Sequence, residues 1–332
     1  MIRISVALLF VLNFNIIAFS QQDVEFQLAS GQNKVQMNYQ NRTRTAIVCI
    51  PKSKAMPDGG WPLILMLHGA GGSSKNVLEQ TGWAETGEKE GFVTIFPNGT
   101  PSDEAKPESF LRNPQTWNSG GYKSLAAGGE SAIAKNIDDV GFLTKLVETV
   151  SASTSINPNR VYVCGHSNGA AMAYRLASEK SKMFAAVGVM ASCFFLENKD
   201  IKGFDQSVSL LQIVGDKDPF TPINGGKAGI GRKKMDLPPA LESPKLWAII
   251  SGIDSSAVKT DENNLFIKRW WASNRHDISI ESIIVKGHGH GYLWPGGRNL
   301  PALLIGPTKN SLNATATFWE FFKAHPKAAI SK

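Results

Sequence analysis

Val161-Tyr162-Val163-Cys164-Gly165-His166-Ser167-Asn168-Gly169-Ala170-Ala171-Met172-Ala173-Tyr174 reads as an apolar strand, a sharp turn and the opening of a helix. The turn has the form Gly-x-Ser-x-Gly. A serine at so tight a tip is forced into strained φ/ψ, and bulk two residues before or after it collides with backbone. In return its hydroxyl stands exposed at the end of a sheet, beside helix N–H groups that favour a developing negative charge. Ser167 is therefore a candidate nucleophile. Asn168, the residue after it, is a candidate backbone donor to an oxyanion. Five-residue matches of this kind recur by chance; the strand-turn-helix setting gives this one its weight.

The same alternation extends outward. Buried-type apolar runs occur at 45–50, 62–67, 92–96, 160–164, 184–190, 209–214 and 278–285, with amphipathic helical stretches between most of them. One helix starts at Asp138 or Asp139, read as a capping pair, and continues through Val140, Phe142, Leu143 and Leu146. Another runs from Gly169 to about Glu179, and the last begins near Asn313. Continuous apolar strands separated by helices predict a mostly parallel sheet covered on both faces. A hairpin is expected over 24–40, turning at Ser30-Gly31-Gln32-Asn33. Two stretches, about 102–134 and 225–264, look like excursions from the scaffold and are candidates for a substrate-facing cap. Neither resembles a linker, so one domain is expected.

An activated serine needs a base, and a group that orients the base. The chain has 6 histidines. His68 closes a strand, His166 is the variable position of the turn and should point away from the hydroxyl, His276 lies in a polar stretch, and His325 is in the tail. His288 and His290 remain, in Lys286-Gly287-His288-Gly289-His290-Gly291 directly after the last strand. His290 is preferred for its Gly-x-Gly-His setting, with His288 the alternative. The acid should follow an intervening strand, and Gly215-Asp216-Lys217-Asp218-Pro219 offers two carboxylates. Asp218 is preferred because a short turn lets its side chain swing towards the histidine; Asp216 is the alternative, with turn capping as its plainer role. The order Ser167, Asp218, His290 is that of α/β-hydrolases. A second oxyanion donor is expected from His68-Gly69-Ala70-Gly71-Gly72, assigned to Ala70 with Gly69 and Gly71 as neighbours. No Cys/His spacing suggests a metal, and no cofactor is implied.

The remaining composition narrows the class. With 332 residues, 42% hydrophobic and 19% charged, the chain can bury a full core. Arg3, the apolar stretch 4–19 and the small residues Ala18 and Ser20 read as a signal peptide over 1–20, cut before Gln21. The mature chain, 21–332, is expected to be exported, with no membrane association. The net charge of +7 is scattered without an aromatic-interleaved stripe, so nucleic acid is not an expected partner. The 3 cysteines lie in or after apolar runs and are read as buried thiols, with a single disulfide as the alternative.

With these residues in place the chain resembles secreted polyhydroxybutyrate-depolymerase-type esterases, which belong with the family-one carbohydrate esterases (feruloyl and acetylxylan esterases). The resemblance rests on 62–72, Trp117-Asn118, Asp138-Asp139-Val140-Gly141-Phe142, 159–170, Gly215-Asp216-Lys217-Asp218-Pro219, Asn224-Gly225-Gly226 and Trp294-Pro295-Gly296-Gly297. It implies an α/β-hydrolase fold and a secreted serine carboxylesterase with Ser167, Asp218 and His290 as triad. It further implies that Trp117 and Trp294 border an acyl or sugar pocket. The implied substrate is an acyl or hydroxycinnamoyl ester on a polysaccharide, with a hydroxyalkanoate polyester as the alternative. A serine peptidase and a non-catalytic glycan-binding protein are the remaining readings. The family pattern places one residue between the histidine and Trp-Pro-Gly-Gly, whereas here Gly291-Tyr292-Leu293 intervene.

Overall fold

The computed structural model describes residues 25–120, 131–195, 204–229, 234–271 and 278–327. The expected signal peptide lies outside them, as do His276 and parts of both excursions. Ten strands form one sheet: β1 (Gly31–Tyr39), β2 (Arg42–Ile50), β3 (Trp61–Leu67), β4 (Val93–Pro97), β5 (Ile156–His166), β6 (Ala186–Met190), β7 (Ser209–Gly215), β8 (Val258–Glu262), β9 (Phe266–Trp271) and β10 (Ile280–Val285). Their spatial order is β1-β2-β4-β3-β5-β6-β7-β10-β9-β8. The six from β4 to β10 run parallel, and an antiparallel pair flanks them at each edge. All seven apolar runs read from the sequence fall on strands of this sheet.

The parallel strands are apolar at almost every position because helices cover both faces. On one face lie α3 (Asp139–Ser153), α4 (Asn168–Glu179) and α5 (Ser243–Ile250), contributing Phe142, Leu146, Tyr174 and Trp247 to a continuous core. On the other lie α1 (Ser74–Gln80), α2 (Trp83–Glu90) and, after the short α6 (Ala302–Ile305), α7 (Ala314–Ala324). There Trp83, Phe92, Phe318 and Phe322 pack together, with Phe322 stacked at 4.8 Å on Tyr162. The caps are local: Asp138 accepts from Gly141 N–H, and Asn313 from Ala316 N–H.

Three expectations need correction. The hairpin does not turn at 30–33. It pairs β1 with β2 and turns at Gln40-Asn41, both left-handed (φ 48° and 60°), the backbone that matches strand twist in a two-residue loop. The excursion 225–264 is half scaffold, since Trp247 of α5 is fully buried and 258–262 is the edge strand β8. The Asp138-Asp139 pair is not a pair of caps, because only Asp138 caps. Asp139 turns inward, fully buried, to meet Arg44 at 2.7 Å.

All three cysteines carry free thiols, Cys49 half-buried and the other two buried. No helix among the described residues is long and apolar enough to cross a membrane.

Candidate active site

Neighbouring parallel strands end together, with Leu67 beside Gly165, His166 beside Met190 and Val285 beside Gly215. The loops that leave these C-terminal ends therefore share one crevice, where open α/β sheets bind ligands. Ser167 sits there at φ 54°, ψ −122°, directly before α4. The flanking glycines are obligatory on steric grounds. A Cβ on Gly165 would lie 2.4 Å from the Gly169 carbonyl, and one on Gly169 would lie 2.4 Å from the Leu67 and His68 oxygens. Ser167 N–H donates to Met190 O at 2.9 Å, which holds the strained tip to the sheet.

His290 Nε2 lies 2.8 Å from Ser167 Oγ, and His290 Nδ1 lies 2.8 Å from Asp218 Oδ2. The other Asp218 oxygen accepts Phe220 N–H at 2.7 Å and Thr221 N–H at 2.9 Å. Burial pulls the Asp218 carboxyl upward, but the facing imidazole and these N–H groups outweigh it and hold it below the usual carboxylate range. An ionised Asp218 therefore keeps a proton on Nδ1 and leaves the Nε2 lone pair for the serine hydroxyl. The Phe220 ring closes one side of His290 at 4.9 Å.

The two alternatives are engaged elsewhere. His288 is buried, with Nε2 on Gly291 O at 2.9 Å and Nδ1 accepting Lys309 N–H at 3.1 Å. Asp216 accepts Gly287 N–H at 2.6 Å, tying the loop after β7 to the loop after β10. Close backbone approach locks the same two loops, since a Cβ on Gly215 would lie 2.2 Å from His288 O.

Of the assigned oxyanion donors, Asn168 N–H is at the first turn of α4, where no intrahelical acceptor exists. Gly71 N–H is committed to Gln115 O at 2.8 Å and Gly72 N–H to Gly69 O at 2.9 Å, whereas Ala70 N–H meets no acceptor among the described residues. The loop lies against the serine: a Cβ on Gly69 would sit 3.3 Å from Ser167 Cβ.

Of the two tryptophans, Trp117 stands differently from the expectation. Trp117 is fully buried and offers no surface to a ligand. Its indole N–H donates to His68 O at 2.9 Å, and its backbone N–H donates to Asn168 Oδ1 at 2.8 Å. It thus ties the Gly-rich loop to the helix start that follows the serine. Trp294 lies across Gly82 and Gly296, where a Cβ on Gly82 would overlap its ring.

Asp139 is the residue that sequence reasoning missed. Beyond Arg44, it accepts Asn118 N–H at 2.7 Å, and Arg175 Nη1 donates to Asn118 O at 2.7 Å. The Arg44 guanidinium lies 3.8 Å over the Phe142 ring. A buried ion pair thus anchors the 117–118 segment that braces Asn168. The available signal was the adjacency of two aspartates, of which one helix start can use only one as cap.

A cavity of about 440 Å³, lined by Cys49, Leu78, Glu85 and Phe92 among others, includes none of Ser167, Asp218 and His290. Among the described residues no group of three His, Cys, Asp or Glu is gathered to hold a metal.

The family "Esterase PHB depolymerase" matches residues 47–218, more than half of the chain. "Putative esterase NocK" of Nocardia uniformis subsp. tsuyamanensis is 25% identical over 289 residues, 82% of this chain and 76% of that protein. "Acetylxylan esterase A" of Aspergillus ficuum is 23% identical over 269 residues, 73% of this chain and 79% of that one. Among solved structures, an acetyl xylan esterase from Aspergillus awamori superposes with a TM-score of 0.56 at 17% identity, over 89% of this chain and 100% of the other. That likeness carries the α/β-hydrolase fold. The match across the serine turn to the last residue of the Asp216-Lys217-Asp218 loop carries the rest: the chain belongs to the esterase PHB depolymerase family and is a carboxylic ester hydrolase.

Proposed function

We propose that the protein is a secreted serine carboxylesterase that cleaves acyl or hydroxycinnamoyl esters on polysaccharides through an acyl-enzyme. Ser167 attacks the ester carbonyl while His290 takes its proton. His290 then returns that proton to the leaving alcohol. Asp218 fixes the imidazole tautomer and stabilises the imidazolium that forms. The N–H groups of Asn168 and Ala70 receive the oxyanion, each worth about 2.7–4 kcal/mol in such transition states. Water enters by the same base and frees the acid. The observation that carries this reading is the pair of 2.8 Å contacts, serine to histidine and histidine to aspartate. Relatives named acetylxylan esterase and feruloyl esterase support a polysaccharide-linked ester. The leader 1–20 is removed on export, which leaves one catalytic domain over 21–332.

Turnover of p-nitrophenyl acetate that Ser167→Ala abolishes supports the reading, and equal rates for both proteins refute it. The exposed Phe110, Leu111, Leu300, Leu303 and Leu304 favour a second substrate, a water-insoluble hydroxyalkanoate polyester. Phe110 lies over Gly71, and Ile305 O, next to Leu304, accepts His290 N–H at 2.7 Å, so both apolar tips flank the crevice. Comparing acetylated xylan, methyl ferulate and hydroxybutyrate oligomers separates the two.

A further inference from the structure

His166, between Gly165 and the reactive serine, has no part in the proton transfer just described, yet its ring lies between the parts that must stay in register. Its Nε2 is 2.6 Å from the main-chain oxygen of His290, a distance that requires a proton on Nε2 and donation to that carbonyl. The two imidazole rings lie 5.1 Å apart, and the Tyr292 ring meets His166 edge-on at 6.0 Å and 85°. On the opposite side, a Cβ on Gly69 would lie 3.2 Å from His166 Nδ1. One side chain thus touches the backbone of the base, the inserted Gly291-Tyr292-Leu293 segment and the first glycine of the oxyanion loop.

We infer that His166 is a positioning residue, which bolts the main chain of His290 to the serine turn and so fixes the distance between nucleophile and base. The inference rests on the reading of Ser167 and His290 given above. Residues 166 and 167 are consecutive, and both bond to His290, one through the carbonyl and one through the imidazole. Two attachments to one residue define a small closed ring of contacts, in which neither histidine nor serine can drift without breaking a bond. The His290 N–H is held as well, by Ile305 O at 2.7 Å, and Gly289 N–H by Pro307 O at 2.6 Å. The His166 contact therefore ties the main chain of this clamped loop to the serine turn, beside the imidazole's own bond to the hydroxyl. Packing around the His166 ring and the adjacent His290 push its imidazole down to about 3, so the bolt does not titrate in the working range.

With three residues between His290 and Trp294, the anchor at the Trp-Pro-Gly-Gly end is further along the chain from the base. Tyr292 is pinned away from the crevice, its hydroxyl on Thr315 Oγ1 at 2.9 Å. The contact from the serine side holds the His290 main chain at the near end of this segment.

The test compares wild type, His166→Phe, His166→Asn and His166→Gln on p-nitrophenyl acetate, with Ser167→Ala beside them. Phe keeps a ring without the donor, Asn is too short, and the Gln amide nitrogen reaches the place of Nε2. A misplacement of about 1 Å at a reacting pair costs on the order of 10²-fold, so Phe and Asn are expected to lower kcat by about 10- to 100-fold with KM within about twofold. Gln should recover most of the loss. Thermal denaturation monitors folding, and Asn decides the matter should Phe fail to fold. Wild-type kcat in folded Phe or Asn variants overturns the inference, as does a Gln variant no better than Asn. Activity retained in Ser167→Ala would instead overturn the underlying reading of the serine.

Discussion

Asp218 accepts three hydrogen bonds, two from backbone N–H groups and one from the imidazole. An amide in its place can present N–H to the histidine and stabilise the wrong tautomer, with the lone pair on Nδ1. Asp218→Asn is therefore expected to lower kcat by about 10⁴-fold while KM and the fold stay near wild type. Steady-state kinetics with circular dichroism checks this, and a loss below about tenfold would show that the carboxylate does not set the tautomer. His290 was open to choice in the sequence because His288 has a glycine on either side too. What separates them is tertiary: the Lys309 N–H and the Gly291 carbonyl occupy both nitrogens of His288. No local pattern carries that information. The role of Trp117 was misread for a similar reason, since its partners, His68 O and Asn168, lie 49 and 51 residues away along the chain.

The strands were legible because burial on both faces leaves long apolar runs, and the serine turn because its two glycines stand at fixed places about the serine, although only the contact that requires Gly165 is local and Gly169 is crowded by the Leu67 and His68 carbonyls at the end of β3. Gly169→Ala would press a methyl into the Leu67 and His68 carbonyls. A stability loss above about 2 kcal/mol in urea unfolding is expected, with catalysis impaired in whatever folds. Unchanged stability would mean that the turn can relax at no cost. The first hairpin was misplaced because Ser-Gly is a stronger turn signal than Gln-Asn, yet the pairing that buries Met37 and Val48 demands the turn at 40–41. Asp139 was hidden because its partner Arg44 comes from β2, 95 residues away. Asp139→Asn leaves the guanidinium buried beside a neutral amide, and breaking such pairs costs about 3–5 kcal/mol. The thermal midpoint should fall accordingly, and kcat with it, because the 117–118 segment loses its anchor. A variant with a lower midpoint but full kcat would separate that anchor from catalysis.

Two neutral imidazoles, His68 and His166, contribute to the response to acid. Burial pushes His68 down to about 4, where Gly99 N–H donates to its Nε2 at 2.9 Å, and His166 is held near 3. In the unfolded chain both protonate near pH 6.5. Between these values the unfolded state binds more protons, so stability is full above about pH 6.5 and declines as the pH falls towards 4. Each histidine adds a slope of about 1.4 kcal/mol per pH unit. Asp218 adds nothing in this window, because a depressed carboxylate loses its contribution only as the pH falls through its folded value. Urea unfolding at pH 7 and pH 5 should show the decline, and His68→Asn should flatten it; parallel curves would contradict the assignment. At the far rim of the sheet, β8 (Val-Lys-Thr-Asp-Glu, 258–262) is exposed at every residue and, among the described residues, bonded on one side only. Its alternating ionic side chains deny a second molecule the chance to extend the ladder, since docking would bring lysine onto lysine or carboxylate onto carboxylate in several registers. Neutralising Lys259, Asp261 and Glu262 together would turn that border into an adhesive seam, visible as fibrils or soluble aggregates by light scattering while the catalytic crevice stays intact.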